Sequence, residues 1–144
     1  MIELLMVVVL TAIVLVVVVP GFGDLLERRR VEGVANDLST DMQYARSESV
    51  SRRVDVALTT AADGLSYQIT GIPVTKTVTL PTGITVTAST TLTYTALRGI
   101  PNQSDVTINV TSTRTAAEMR LISNFMGRVQ LCSPSGSLKG YTTC

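Results

Sequence analysis

The chain has 144 residues, 45% of them hydrophobic, and a formal net charge of +1. This length supports one domain of ordinary size, and the near-neutral charge gives no electrostatic bias towards nucleic acid or acidic lipid. Histidine and tryptophan are absent, and two cysteines are too few ligands for a tetrahedral zinc site, so we expect no metal and no cofactor.

The N-terminus is dominated by an uninterrupted apolar run. Leu4 to Val19 carry no charge and a single polar side chain, Thr11. As a helix this run rises about 24 Å against a hydrocarbon core of about 30 Å, so it can enter a bilayer but barely crosses one unaided. We interpret residues 1–20 as a helix that is buried either in lipid, as a transmembrane segment, or against copies of itself.

Two residues mark the ends of this run. Glu3 places a carboxylate at the edge of hydrocarbon, where it is costly unless it is paired or stays at the membrane surface. Pro20 removes a backbone donor and crowds the preceding turn, so we expect a kink there rather than the end of the helix. A cleaved secretory signal peptide is the alternative. Against it, the run lacks a basic start and a small-x-small cleavage site, and the helical pattern continues beyond it.

The helical pattern continues from residue 22 to about residue 53, now with one apolar face. Its apolar positions recur every three or four residues, as Val31, Val34, Ala35, Leu38, Met42 and Ala45. Charged and amide side chains, Arg46 among them, fall largely on other faces. We therefore predict one helix of about fifty residues whose second part, residues 21–53, packs on a domain. The Arg28-Arg29-Arg30 run within it is interpreted as a solvated or subunit-bridging face, with DNA binding as the weaker alternative.

Beyond residue 53 the apolar period changes from about 3.6 to 2, which is typical of strands. Short segments rich in Thr and Val alternate with turns that contain Pro73, Pro81 and Pro101. They predict strands near residues 54–58, 65–69, 77–80, 84–88, 92–96, 106–110, 119–122 and 128–131. Strands beside one long helix, with no helices between them, predict an α+β domain with antiparallel sheet over residues 54–144.

Cys132 and Cys144 lie close together at the C-terminus, with Pro134, Gly136 and Gly140 between them. This spacing predicts a C-terminal loop closed by a disulfide, which contributes about 3 kcal/mol in the chain-entropy model. A disulfide indicates an oxidising compartment such as the bacterial periplasm or the cell surface.

The N-terminal sequence resembles that of type IV pilins and type II secretion pseudopilins. The resemblance lies in Ile2-Glu3-Leu4-Leu5, the valine-rich run, and Pro20 seventeen positions after Glu3. In that family a basic leader is cleaved ahead of this segment, whereas the present chain starts at Met1, about two residues after the usual mature start. Because the family carries its orienting charge on that leader, we give the cysteine pair more weight than the arginine run and expect a periplasmic domain.

Three later motifs resemble the GspH/FimT branch of that family. QYARSESV at residues 43–50 is similar to its L-A-R-S-E-A helix end, and Leu97-Arg98-Gly99 to its P-R-G turn. GRVQLC at residues 127–132 is similar to its closing G-R-V-R strand, with Gln130 in place of a basic residue. The resemblance implies a pilin-like fold, a subunit held in the bacterial inner membrane, and extraction by an assembly machinery into a filament of pilin subunits. It also implies that Glu3 pairs with a neighbour's N-terminal amine.

This resemblance predicts a minor pilin or pseudopilin of a type IV pilus or type II secretion-like filament. A major pilin and a DNA-receptor minor pilin are the alternatives. For DNA the candidate contacts are Arg120, Arg128 and Lys139, and only Arg128 of the family's basic pair is retained, so affinity should be weak. We expect no enzyme, because the chain lacks histidine and nothing near Ser133 or Ser135 suggests a catalytic base.

Overall fold

The computed structural model describes residues 2–134, 136 and 138–144, and for residues 15–22 it describes the backbone alone. Within that part of the chain, one long helix is followed by eight short strands. The helix is α1 (Ile2–Arg52), and the strands are β1 (Val56–Thr60), β2 (Ser66–Thr70), β3 (Lys76–Thr79), β4 (Ile84–Ala88), β5 (Leu92–Tyr94), β6 (Val106–Ser112), β7 (Glu118–Ser123) and β8 (Val129–Cys132). The predicted α+β class is confirmed.

Helix α1 is 51 residues long, and its buried side chains among the described residues lie in its second half. The predicted apolar stripe is the part that packs: Val34 is partly buried, and the other five positions are inaccessible to solvent, namely Val31, Ala35, Leu38, Met42 and Ala45. The helix ends where Arg53 turns into the left-handed region, at φ 57°. That conformation cannot continue an α-helix, and the chain enters β1 three residues later.

The strands form two antiparallel sheets rather than one. The first has the order β3-β2-β1-β5 and the second the order β4-β6-β7-β8. Alternating side chains of each strand point inwards, as in β6, where Val106, Ile108 and Val110 are buried. Helix α1 contacts strands of both sheets. The core therefore lies between the apolar stripe of the helix and the inner faces of the two sheets.

Gly33 is a weak point of this helix, and filling it should stabilise the protein. It lies on the exposed side of α1, and a Cβ there would meet no atom within 4 Å. Gly33→Ala is expected to raise the free energy of unfolding by about 1 kcal/mol, because alanine loses less backbone freedom on folding. Denaturant unfolding of the full chain measures this. Gly127→Ala is the opposite control, since Gly127 has a φ of 74° and its Cβ would lie 3.0 Å from the Gly99 carbonyl oxygen.

Candidate assembly surface

Over residues 2–14, helix α1 exposes its large apolar side chains. These side chains keep between 54% (Val8) and 80% (Ile2) of their surface accessible. Thr11, the one polar side chain between residues 4 and 14, donates its hydroxyl to the carbonyls of Val7 and Val8, at 2.7 Å and 3.0 Å. Because that hydroxyl is satisfied within the helix, residues 4–14 present an apolar partner with no unpaired side-chain polar group.

Glu3 lies in the first turn of α1 and is exposed. A carboxylate at this position interacts favourably with the unpaired N–H groups of the helix start. Within the described chain, which leaves out Met1, Glu3 forms no ion pair. Its pairing with a neighbour's amine stays a prediction.

Pro20 lies among residues 15–22, whose side chains are outside the described part of the chain. The kink predicted there also stays a prediction. Among the described residues, the structure contains no helix that is both long enough and apolar enough to cross a membrane.

Arg46 ties the end of α1 to two loops of the domain. Its Nε donates to the Gly99 carbonyl at 3.0 Å, and its Nη1 donates to the Gly127 carbonyl at 3.4 Å. The loop at Gly127 approaches the Arg46 side chain so closely that a Cβ on Gly127 would lie 3.3 Å from Arg46 Nε. Arg46 thus lies off the apolar stripe, as predicted, but is partly buried against these loops. The three later motifs, which are far apart in sequence, meet at this one side chain.

Asp41 forms a second polar link between α1 and the sheets, one that no local sequence pattern predicts. This carboxylate is 7% exposed. It accepts a hydrogen bond from the Tyr67 hydroxyl at 2.8 Å and pairs with the Lys76 ammonium at 2.5 Å. Burial and the adjacent carboxylate raise the pKa of Tyr67 well above its usual value. Breaking either partnership would leave a buried charge poorly compensated, so these two contacts tie α1 to β2 and β3.

The three residues predicted to contact DNA do not form one patch. The Arg120 guanidinium is already hydrogen-bonded within the domain, since it donates to the side chains of Asn109 at 3.0 Å and Glu118 at 3.3 Å. Arg128 is exposed beside Arg46, while Lys139 is exposed beside Arg28. Positions 28 and 46 of one helix are about 27 Å apart. The geometry therefore gives the DNA hypothesis no contiguous basic surface built from these three residues.

Cys132 and Cys144 are joined in a disulfide, with their Cα atoms 5.0 Å apart. The bond holds the C-terminal segment against the end of β8. Leu138, in the middle of the closed loop, is buried in the core, and Tyr141 packs against its margin. The loop is thus part of the domain's packing.

We expect this disulfide to stabilise the domain and to have no chemical role. Cys144→Ser should lower the free energy of unfolding by about 3 kcal/mol, because the opened loop regains conformational freedom in the unfolded chain. Alkylation of the unreduced native protein should find no free thiol. Two titratable thiols, or a serine variant as stable as the parent, would contradict the prediction.

A family model described as "Type II transport protein GspH" matches residues 34–136, well over half of the chain. The chain therefore belongs to the GspH family. The matched region contains Arg46, Asp41 and all eight strands, so it covers both sheets and most of the part of α1 that packs on them.

Two solved structures share the fold. The type IV minor pilin FimU of Pseudomonas aeruginosa (strain PAO1) superimposes with a TM-score of 0.62 at 23% sequence identity, covering 78% of this chain and 96% of that one. The minor pseudopilin EpsH from the Type 2 Secretion System of Vibrio cholerae gives a TM-score of 0.59 at 12% identity, covering 73% and 98%. No curated protein sequence matches the chain.

Proposed function

We propose that this chain is a minor pilin or pseudopilin, a structural subunit that acts in assembling a type IV pilus or a type II secretion pseudopilus. Membership of the GspH family supports a filament subunit, and the shared fold with a minor pilin and a minor pseudopilin agrees with it. The observation that carries the proposal is the division of α1. Residues 31–45 are locked into the domain, whereas residues 2–14 expose an apolar surface that the domain does not cover.

Before assembly, the exposed half of α1 is held in the bacterial inner membrane and the domain stands in the periplasm, which suits the disulfide. The assembly machinery then extracts the subunit, and the helices of neighbouring pilin or pseudopilin subunits replace the lipid around it. Lipid tails are as apolar as leucine side chains, so this exchange gains little from the hydrophobic effect. The preference of α1 for neighbouring subunits over lipid must then come from close packing and from polar groups such as Glu3.

Quantitative mass spectrometry of purified filaments tests the proposal. The chain should be present in filaments, and at a small fraction of the copy number of the main subunit. If it were itself the main subunit, the major-pilin alternative would be correct. Absence from every filament and assembly complex would show that the proposal is wrong.

A further inference from the structure

Cationic side chains from three separate parts of the chain surround α1 at one level, just beyond its apolar half. All are exposed, and they come from the helix, the β6–β7 turn and the C-terminal loop: Arg28, Arg29, Arg30, Arg114 and Lys139. Arg28, Arg29 and Lys139 line one surface cavity beside the helix, and Arg30 and Arg114 line another. We call this set the basic collar. The sequence shows only its helical part, because folding alone brings Arg114 and Lys139 to the same level.

Three carboxylates lie within the collar and leave it with an excess of two positive charges. Glu27 is only 5% exposed; it accepts a hydrogen bond from Ser112 at 3.1 Å and lies 3.5 Å from Arg30. Glu32 pairs with Arg29 at 2.9 Å, and Asp24 lies at the rim. The Arg29 side chain is nevertheless 73% exposed, and such surface pairs are weak. Its guanidinium can therefore exchange Glu32 for an external anion at little cost.

The fold holds the collar's outlying members in place. Leu138 is buried in the core, and the Cys132–Cys144 bond closes the loop that contains it. Lys139 is thereby fixed beside α1. On the other side, Ser112 accepts hydrogen bonds from the backbone N–H groups of Arg114 and Thr115, which orders the turn. The collar is therefore built on a rigid domain.

The position of the collar along α1 identifies its partner. The apolar run together with Pro20 to Gly23, residues 4–23, contains no charge and rises about 30 Å as a helix, which is close to the thickness of a hydrocarbon core. Arg28 then lies about 7 Å beyond that core and Arg30 about 10 Å, at the level of the headgroup phosphates. Between core and collar lie Leu25 and Leu26, each 53% exposed, which suit the boundary of the bilayer.

We propose that the basic collar rests on the headgroups of anionic phospholipids while the subunit is held in the membrane. This contact sets the depth of α1 and the orientation of the domain above the bilayer. Guanidinium groups bind phosphate oxygens through paired hydrogen bonds, and the negative potential of an anionic leaflet attracts basic groups close to its surface. The inference rests on the proposed function, because it requires the first half of α1 to lie in a bilayer.

A single tryptophan reports the contact, since the natural chain has none. The full chain with Leu26→Trp is inserted into vesicles of phosphatidylcholine alone and into vesicles with about 30% phosphatidylglycerol, which supply the anionic surface. Quenching of the tryptophan by acrylamide in the water should be about twofold weaker in the anionic vesicles, because the collar draws Leu26→Trp into the interface. Salt at about 0.5 M should remove the difference, since it screens the surface charge.

Charge variants made in this reporter chain assign the effect to the collar. Arg29→Gln with Lys139→Gln should abolish the lipid dependence, while Arg98→Gln with Arg128→Gln, an equal loss of charge at the other end of the domain, should leave it intact. The proposal for the collar is wrong if quenching is equal in the two kinds of vesicle, or if both double variants lose the lipid dependence to the same extent. Neither result would count against the proposed function. If the chain enters neither kind of vesicle, membrane anchoring itself is wrong and the collar fails with it.

Discussion

Glu3→Ala is expected to leave membrane insertion intact and to reduce incorporation into filaments about tenfold, equivalent to about 1.4 kcal/mol. Residues 4–14 are apolar apart from Thr11 and are unchanged by the substitution, so the lipid-facing surface hardly changes. In a helix bundle that excludes water, however, the ionised group must find a cation or cost several kcal/mol. A neighbour that supplies the cation is preferred over lipid, and that preference disappears with the carboxylate.

Filament content, measured with an antibody against the domain, is compared with the amount in the membrane fraction. Thr11→Val is the matched control: it also removes a polar group from the exposed half, but one already bonded within the helix. This variant should assemble normally. Incorporation of Glu3→Ala at the parent level would reject the pairing of Glu3 with a neighbouring subunit.

Arg46→Met is expected to lower the free energy of unfolding by about 3 kcal/mol. Methionine fills part of the space of the arginine stem but leaves the carbonyls of Gly99 and Gly127 without their charged donor. Hydrogen bonds to charged groups contribute about 1.5–3 kcal/mol each, and the longer of the two should lie at the lower end. The two loops would also lose the group that holds them together.

Denaturant unfolding of the full chain in detergent, followed by circular dichroism, measures this loss. Arg46→Lys should fall between the parent and the methionine variant, because an ammonium keeps the charge but cannot address two carbonyls with a rigid fork. Arg98→Met, at an exposed position in one of the same loops, should change stability by less than about 0.5 kcal/mol. If Arg46→Met were as harmless as Arg98→Met, the hydrogen bonds of Arg46 to the Gly99 and Gly127 carbonyls would not contribute to stability.

Arg46 illustrates what sequence periodicity can and cannot predict. Helix α1 and the strands follow from spacings of three to four and of two residues, which are local properties, and they appear where expected. Arg46 falls off the apolar stripe, so the helical pattern indicates only that it lies on another face. Its partners are 53 and 81 residues away in sequence, and no local pattern brings those carbonyls to it. The division of the strands into two sheets was missed for the same reason.

The candidate assembly surface was more predictable than the links that fix the domain. An uninterrupted apolar run needs no tertiary information to be recognised, and Glu3 is notable because it borders that run. Asp41 gave no such signal, because its importance depends on Tyr67 and Lys76 lying across from it in the fold. The arginine run was visible in the sequence. Its position within a collar depends on a turn and a loop that only the tertiary structure places beside it.

In a filament, other subunits should cover the exposed apolar residues of α1, and site-specific photo-crosslinking can detect that contact. A photoreactive amino acid replaces Val9, which is 55% exposed. In assembled filaments it should crosslink to the N-terminal helices of neighbouring pilin-family subunits, whereas in membranes before assembly it should label lipid. The same group at Val74, exposed on the domain, reports contacts outside the helices. Filaments that contain the chain but give no protein crosslink from position 9 would contradict the account.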